Sequence, residues 1–249
     1  PQTTAWETEA ITPRIMTYHS RQILLLRHEQ EKYLDSVLKR KTLYGEPVDI
    51  KDPVLRKHID QATTDYVVFI IVATPVEEVG RDHDLDWSVI EPSSYRSIIQ
   101  LAGRVLRHRI MSENIEKKNI AVMRWNLRGL NGKAPAFIYP GYESGKNKLE
   151  SHDLKGILKE DVLKRIDSIP RIRKEDPLTW RTNLIDLEQK AMEVFNEKES
   201  CVAKAVNGWI REYWWMTALP QRLNRFREKT YPDVRLTALF DANKITCSE

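Results

Sequence analysis

The sequence predicts an α/β fold with a parallel sheet, followed by a mostly α-helical portion. Up to residue 125, apolar runs rich in β-branched side chains alternate with segments of helical periodicity. Such alternation is typical of an open α/β sheet. Glycine and proline become frequent after residue 126, and from Leu149 onward the pattern is helical and charged. We therefore predict an α/β domain over 1–145, a helical linker over 146–200 and a helical C-terminal domain over 201–249.

The first predicted elements are two strands and the helix between them. Residues 14–20 have strand character, and residues 21–41 carry apolar side chains at helical spacing with a cationic last turn, which the helix dipole favours. Residues 65–73, DYVVFIIVA, form a nearly unbroken run of β-branched and aromatic residues. A run of this kind suits a strand that is buried on both faces of a parallel sheet.

The next elements continue the alternation. Residues 86–92 predict a strand that ends at a proline, and Ser93 or Ser94 can then cap a helix across residues 94–109. Residues 119–125 predict a further strand, after which loops surround one short strand. The later helical segments cover residues 158–166, 183–200 and 202–229.

The composition favours a globular protein whose basic function is local. The net charge of only +4 over 249 residues argues against a general nucleic-acid coat. The two cysteines, Cys201 and Cys247, form no C-x-x-C pair, so we expect reduced thiols in a cytoplasmic protein. No stretch approaches the roughly 18–20 apolar residues of a membrane span, so we expect no membrane partner.

Residues with binding potential directly follow the strand at 65–73. Thr74 lies at its carboxyl end, and ligand sites of parallel sheets form at that edge. Gly80 can adopt backbone angles that other residues avoid, and Asp82 can accept hydrogen bonds from a ribose hydroxyl or a guanidinium. An ordinary polar loop after a buried strand would look similar, and on these residues alone both interpretations stay open.

The helix predicted across 94–109 would carry polar and basic side chains on one face. Gln100, Arg104 and Arg107 fall at i, i+4 and i+7, which places them on the same side of a helix. Branched apolar residues take most of the remaining surface. We expect this face to meet either an anionic ligand or water.

Three motifs in order resemble those of superfamily 2 helicases. YHSR at 18–21 is similar to motif IV, T-x-x-x-x-x-G-x-D from Thr74 to motif V, and Q-x-x-G-R-x-x-R from Gln100 to motif VI. The surrounding segments VATPVEEVGRDHDLDW and EPSSYRSIIQLAGRVLRHR resemble the helicase-nuclease family of type I CRISPR systems, particularly its subtype I-F form. The resemblance implies the second RecA-like motor domain of such a protein, N-terminally truncated, with a C-terminal domain after it.

The chain departs from the superfamily pattern at two positions and lacks two motifs. Leu101 stands where many members have a second arginine, and Leu106 where they have glycine or histidine. The nearest approach to a P-loop, GYESGKN at 141–147, has its glycines one residue too close, and no Asp-Glu dipeptide occurs. In the family both motifs belong to a first RecA-like domain, so we expect this chain to be a fragment without ATPase activity of its own.

The resemblance implies a role for each motif residue. Arg107 is the candidate arginine finger, Arg104 its partner on the phosphates, and Gln100 the group that orients them or the attacking water. The implied ATP contacts are Gly80, Asp82 and Gly103. The implied contacts with the DNA backbone are His19, Ser20, Arg21 and Thr74.

The implied cofactors are ATP and Mg²⁺, bound jointly with the first RecA-like domain, whereas the nuclease metals belong to a domain outside this chain. The pairs His83–Asp84 and His152–Asp153 are isolated, and a two-metal nuclease site needs several converging ligands. We therefore predict no metal site in these residues.

The implied partners are single-stranded DNA, the type I CRISPR surveillance complex and, as a further candidate, a phage anti-CRISPR inhibitor. In the full-length protein the motor would unwind invading DNA, which an HD nuclease domain would degrade. Two other functions also fit the sequence. One is a non-catalytic module that docks the surveillance complex or an inhibitor, and the other is part of a superfamily 2 helicase that acts on RNA.

Overall fold

The computed structural model describes residues 10–41, 51–109, 118–138 and 140–196, together with two strands near the end of the chain. Its contacts form two compact units, Pro1–Ala191 and Met192–Glu249. The helix predicted over 202–229 lies outside the described residues.

The first described elements form a parallel strand pair with helices in the connection. Their bounds are β1 Ile11–Tyr18, α1 Leu24–Leu38, α2 Pro53–Asp60 and β2 Tyr66–Ala73. Strands β1 and β2 run parallel, in register from Ile11 opposite Tyr66 to Tyr18 opposite Ala73. Parallel strands need a long crossover, and α1 and α2 lie within it.

Helix α2 was not predicted from the sequence, although its start carries a recognisable signal. The Asp52 side chain accepts hydrogen bonds from the backbone N–H groups of Val54 and Leu55, and Pro53 occupies the first turn. Aspartate followed by proline is a favoured helix start, because the carboxylate satisfies free donors and proline needs no donor there.

Strand β2 lies where the sequence predicted a strand, but the predicted burial on both faces is wrong. Val72 is 55% exposed and Phe69 is 41% exposed. Full burial requires packed layers on both sides of a sheet. Among the described residues, β2 is hydrogen-bonded in a ladder to β1 only.

A second parallel pair contains β3 Ser88–Ile90 and β4 Ile120–Val122, with α3 Tyr95–Ala102 between them in the chain. The predicted Ser94 cap is confirmed, since its hydroxyl accepts a hydrogen bond from Ser97 N at 3.1 Å. These pairs and their helices confirm an α/β fold. They are two separate two-stranded sheets in the described residues, and the RecA-like arrangement stays a prediction.

The predicted helix across 94–109 is too long. Helix α3 ends at Ala102, and the chain then turns so that Val105 forms a parallel bridge with Leu85. Leu106 adopts a φ of 51°, a left-handed conformation that no α-helix contains. Tertiary pairing with Leu85 has therefore replaced the last two turns of the predicted helix.

Residues after 145 share the core of the α/β part. Helix α4, Leu127–Leu130, precedes residue 145, and the described helices after it are α5 Leu154–Ile157, α6 Glu160–Lys164, α7 Ile169–Ile172 and α8 Leu184–Asn196. One cluster contains Ile90 and Ile98 together with Leu154, Ile157 and Leu187, all at most 2% exposed. This cluster therefore spans the boundary expected at 145, because α5 and α8 complete the core around α3, and the division into domains stays a prediction.

A buried carboxylate joins α8 to the start of α3. Glu188 is 1% exposed, and its Oε1 accepts hydrogen bonds from Tyr95 N at 2.5 Å and Arg96 N at 3.1 Å. Its Oε2 accepts one from Arg171 Nε at 3.0 Å. Burial raises the pKa of Glu188, while these donors and the Arg171 charge act in the opposite direction. The contact satisfies helix donors that would otherwise be left open.

The second unit contains an antiparallel pair, β5 Thr237–Asp241 and β6 Lys244–Ser248, with Thr237 opposite Ser248. A helical C-terminal domain over 201–249 was expected, so for these ten residues the expectation is wrong. None of the helices in the described parts of the chain is long and apolar enough to cross a membrane.

We expect Glu188→Ala to lower the free energy of unfolding by about 2–4 kcal/mol, because it leaves buried donors without an acceptor. Glu188→Gln should cost less, since its remaining oxygen can serve Tyr95 N and Arg96 N. Urea unfolding of the chain provides the measurement. Glu175→Ala is the control, because its pair with Lys159 is exposed on both sides and should contribute less than about 1 kcal/mol. Equal losses in Glu188→Ala and Glu175→Ala would contradict the assignment.

Candidate functional site

A short loop after β2 supplies one wall of the candidate site. Thr74 precedes a 3₁₀ turn, Pro75–Glu77, and Gly80 follows with a φ of +67°. A Cβ at Gly80 would meet no atom within 4 Å, so the backbone angle and not the space requires glycine. The left-handed residue turns the loop so that Asp82 lies next to the segment after α3.

The loop and the end of α3 line an open cleft of about 530 Å³. A volume of this order suits a small-molecule ligand. Its lining residues are Glu78, Val79, Gly80, Arg81, Asp82, Ile99, Gln100, Gly103, Arg104 and Arg107. All six residues assigned to ATP and catalysis from the sequence therefore lie in one cleft.

The reason for this clustering differs from the helical face predicted. Gln100 belongs to α3, but Gly103 ends the helix, and Arg104 and Arg107 belong to the turn beyond it. The turn is held by two backbone hydrogen bonds, from Leu85 N to Arg104 O at 2.8 Å and from Leu106 N to Leu85 O at 2.9 Å. Tertiary pairing thus places the two arginines beside Gln100.

Arg104 is a nearly buried cation without an ion-pair partner among the described residues. Arg104 is 6% exposed, and only its Nη2 has an acceptor, Glu78 O at 3.2 Å. Nε and Nη1 have no hydrogen-bond partner there, and neither has the buried Oε1 of Gln100. Burial, and then the charge of Arg107, lowers the pKa of Arg104. A guanidinium in this state is stabilised by any anion that enters the cleft.

Arg107 is more exposed and is held by the loop. Its Nε donates to Asp82 Oδ1 at 3.1 Å, and its Nη1 donates to Gly103 O at 3.3 Å. The same Asp82 oxygen lies 2.7 Å from His108 Nε2, and Lys41 forms an ion pair with the other. Lys41, followed by His108, lowers the pKa of Asp82, so this carboxyl is ionised at neutral pH. Asp82 therefore accepts a hydrogen bond from a guanidinium, one of the two kinds of donor expected for it from the sequence.

Arg109 forms ion pairs with buried and exposed aspartates and does not line the cleft. On a continuous helix it would point away from Gln100, but beyond α3 its guanidinium instead binds Asp84, with Nη2 2.9 Å from Oδ1. Its Nη1 contacts Asp86 Oδ1 at 2.6 Å. A substitution at Arg109 would therefore leave the fully buried Asp84 without its charge partner.

The residues predicted to contact DNA lie together at the carboxyl ends of β1 and β2. Ser20 N donates to Thr74 Oγ1 at 3.1 Å, which joins the two strand ends directly. Arg21 N donates to His19 Nδ1 at 3.2 Å within the same turn. Ser20, Arg21 and Thr74 are exposed, so this edge is open to a ligand larger than the cleft could hold.

A polar contact links this edge to the cleft. Tyr18, the last residue of β1, donates its hydroxyl to Glu31 Oε1 at 2.8 Å. The same carboxylate oxygen lies 2.5 Å from Arg81 Nη2, and Arg81 lines the cleft. Burial, together with the hydrogen bond to Glu31, raises the pKa of Tyr18 to about 12. Tyr18 is the first residue of the YHSR segment but was given no role from the sequence, and Glu31 belongs to none of the three motifs.

The histidine and the aspartate of each His-Asp pair contact different partners. His83 Nδ1 lies 2.7 Å from Glu77 Oε1, whereas Asp84 accepts from the turn after α3. His152 lies 3.0 Å from Glu143, whereas Asp153 pairs with Arg124. In the part of the chain that the structure describes, no group of three or more histidine, cysteine, aspartate or glutamate side chains could hold a metal ion.

Sequence reasoning overlooked the partners that hold the cleft together. Asp82, Asp84 and Asp86 alternate along an extended segment, and they face the run Arg107–His108–Arg109. Acids at every second position opposite a basic run are a pattern that the sequence does contain. If residues 94–109 formed one helix, this pattern would not predict contacts between the acidic segment and the basic run.

Fold and site together define an α/β protein with a cationic cleft beside a parallel strand. Residues 2–110 match the family model described as Cas3-like, the C-terminal part of the CRISPR-associated nuclease/helicase Cas3. This part of the chain is similar to that family, and the chain also matches its subtype I-F proteins.

Two relatives illustrate the match. The chain is 43% identical over 184 residues to the CRISPR-associated nuclease/helicase Cas3 subtype I-F/YPEST of Pseudomonas aeruginosa strain UCBPP-PA14, which covers 74% of this chain and 17% of that protein. It is 38% identical over 178 residues to the protein of the same description from Pectobacterium atrosepticum strain SCRI 1043, which covers 70% of this chain and 16% of that one. The chain therefore spans about a sixth of the length of these relatives.

Gly80→Ala should lower the free energy of unfolding by about 1 kcal/mol, because alanine is strained at this positive φ. Gly132 has a φ of +66° outside the cleft, so Gly132→Ala should cost about the same. Gly145→Ala is the control without a left-handed backbone, and it should be neutral or stabilising by up to about 1 kcal/mol. Urea unfolding compares the three variants. An unchanged stability of Gly80→Ala would show that the loop relaxes to another conformation.

Proposed function

We propose that this chain supplies one side of the ATP site of an ATP-dependent single-stranded DNA translocase or helicase. The observation that carries the proposal is Arg104, a buried guanidinium without an ion-pair partner in the described residues, next to Arg107 in a cleft of ligand size. A buried unpaired cation is costly for a fold, and a polyphosphate is the ligand that offsets this cost best.

The two arginines would act at different stages. Arg104, fixed by burial and by Glu78 O, would bind a phosphate already in the ground state. Arg107 is 39% exposed in its side chain and would exchange Asp82 for the oxygens of the transferred phosphoryl group. Charge develops on those oxygens in the transition state, so an arginine that reaches them accelerates hydrolysis.

Other cleft residues would orient the nucleotide. Gln100 Oε1 is buried without a partner in the described residues and would accept a hydrogen bond from the attacking water. Gly80 and Gly103 let the backbone approach the ligand closely. Mg²⁺ would supply charge neutralisation on the phosphates, held together with ATP by a P-loop and an acidic motif in another part of the full-length protein.

The strand-end residues would bind the phosphate backbone of single-stranded DNA. Ser20 and Thr74 are exposed, hydrogen-bonded to one another and adjacent to Arg21. Backbone contacts of this type position a strand without reading its sequence. The relatives are nuclease/helicases, which supports a motor that acts with a nuclease domain in the same protein. A type I CRISPR surveillance complex and a phage inhibitor are the proposed protein partners, in a cytoplasmic setting.

In the full-length protein, Arg107→Ala should reduce DNA-stimulated ATP turnover by roughly 10³-fold while the dissociation constant for ATP changes little. Arg107→Lys should recover little, because an ammonium cannot reproduce the planar fork of donors. Steady-state turnover and nucleotide titration measure both quantities. Arg165→Ala, at a side chain that is 85% exposed outside the cleft, should keep wild-type turnover. Wild-type turnover in Arg107→Ala would refute the proposed function.

Thr74→Val in the full-length protein should weaken single-stranded DNA binding by about 0.5–1.5 kcal/mol, the value of one neutral hydrogen bond. The affinity for ATP should stay near the wild-type value, because Thr74 does not line the cleft. Fluorescence anisotropy with DNA and RNA strands measures the change. Thr182→Val is the control, since that hydroxyl is exposed and donates to Thr179 O outside both sites. Tighter binding of RNA than of DNA by the wild type would favour an RNA motor instead.

A further inference from the structure

We propose that Asp84 is a positioning residue for Arg107, which sets the backbone from which the arginine reaches the cleft. This inference rests on the proposed function of Arg107. Asp84 does not line the cleft and would not touch a nucleotide there. Its contribution to turnover would come entirely from the turn that it holds.

The carboxylate of Asp84 receives hydrogen bonds from three consecutive residues. Oδ1 accepts from Arg107 N at 3.2 Å, and Oδ2 accepts from His108 N at 3.2 Å. Arg109 adds Nε at 3.1 Å and Nη2 at 2.9 Å, both to Oδ1. The residue is fully buried, so no solvent competes for these contacts.

Asp84 is itself held on both sides. Its backbone N–H donates to Leu38 O at the end of α1, at 3.0 Å. The next residue, Leu85, pairs with Val105. A buried acceptor on a fixed backbone is suited to define the position of a turn that carries a reacting side chain.

The turn needs such an anchor because it is strained. Leu106, directly before Arg107, has a φ of 51°, and a residue with a side chain adopts the left-handed region only with strain. A strained conformation persists only where its surroundings over-determine it. Asp84 binds the two backbone N–H groups that follow Leu106, and these are the groups that would move if the strain were released.

A shift of the turn would also move the side chains that follow Leu106 and the residues that they contact. Arg107 Nε and His108 Nε2 both contact Asp82 Oδ1, so the loop wall of the cleft is also set by this backbone. The guanidinium of Arg109 forms ion pairs with both Asp84 and Asp86. A displacement on the order of 1 Å at a catalytic group can reduce a rate by about a hundredfold.

The informative substitution is Asp84→Asn, which keeps the volume and one oxygen. Its amide nitrogen would face donors, so it could not accept from both Arg107 N and His108 N. Asp186→Asn is the matched control. Asp186 is also a buried aspartate, 2% exposed, and its Oδ2 accepts from Thr179 N at 2.7 Å and Thr179 Oγ1 at 2.8 Å, outside the cleft.

The experiment compares DNA-stimulated ATP turnover and ATP affinity in the full-length protein. We expect Asp84→Asn to lower kcat by about 10- to 100-fold with the ATP dissociation constant within about threefold of wild type. Asp186→Asn should keep kcat within about twofold in its folded fraction, although it loses stability. Added to Arg107→Ala and measured under single-turnover conditions, Asp84→Asn should reduce the rate by less than about twofold, because it acts through Arg107.

Each other outcome has a definite meaning. Wild-type kcat in Asp84→Asn, with Arg107→Ala inactive, overturns the inference and leaves the proposed function intact. An equal loss from Asp84→Asn in the wild-type and Arg107→Ala backgrounds also overturns it. Wild-type turnover in Arg107→Ala removes the proposed function itself. If Asp84→Asn does not fold, Arg109→Lys decides, because it keeps the charge and loses the fork: unchanged kcat in that variant overturns the inference.

Discussion

Two backbone hydrogen bonds join Leu85 to the turn after α3, and the arrangement of the cleft depends on them. They turn the chain away from the helix axis immediately after Gly103. Without this pairing, Arg104 and Arg107 would continue along α3, and Asp82 would have no arginine to bind. The left-handed Leu106 is the local cost of that pairing. Glycine would adopt this φ more easily.

The charges around the cleft are arranged unequally. Arg81, Arg107 and Arg109 each have a carboxylate within 3.1 Å. Arg104 has none in the described residues, and the loop carboxylates that stabilise it act over a longer distance. Because a buried cation without a partner is costly, Arg104 is the residue on which the proposed anion site depends.

Helix α3 shows how the cleft is tied to the rest of the first unit. Its N-terminus is bound by Glu188 of α8, and its C-terminus is followed by the turn that Leu85 holds. Both ends are therefore fixed by residues distant in sequence. The helix contains only eight residues, a length at which isolated helices are unstable in water. Its position, and that of Gln100, follows from these tertiary contacts.

Several elements could be predicted from local sequence. Strand β2 follows from the run YVVFIIVA, the parallel pairs follow from the alternation of strands and helices, and the Ser94 cap follows from its place before an apolar run. The extent of α3 could not be predicted, because helical spacing continues past Ala102 in the sequence. The β5–β6 hairpin was also not anticipated, since its strands follow a long helical pattern.

For the cleft, the sequence by itself singled out six of the ten lining residues, as candidate ATP and catalytic positions. Glycine at position 80 is demanded by a backbone angle, and the motif spacing identified the arginines at 104 and 107. Only the tertiary structure decided how they meet: which arginine keeps its charge unpaired, which one Asp82 holds, and that Arg109 belongs to Asp84. The physical reason is that hydrogen bonds and ion pairs between residues about 20 apart in sequence outweigh the small local preferences for continuing a helix, and no local pattern records them.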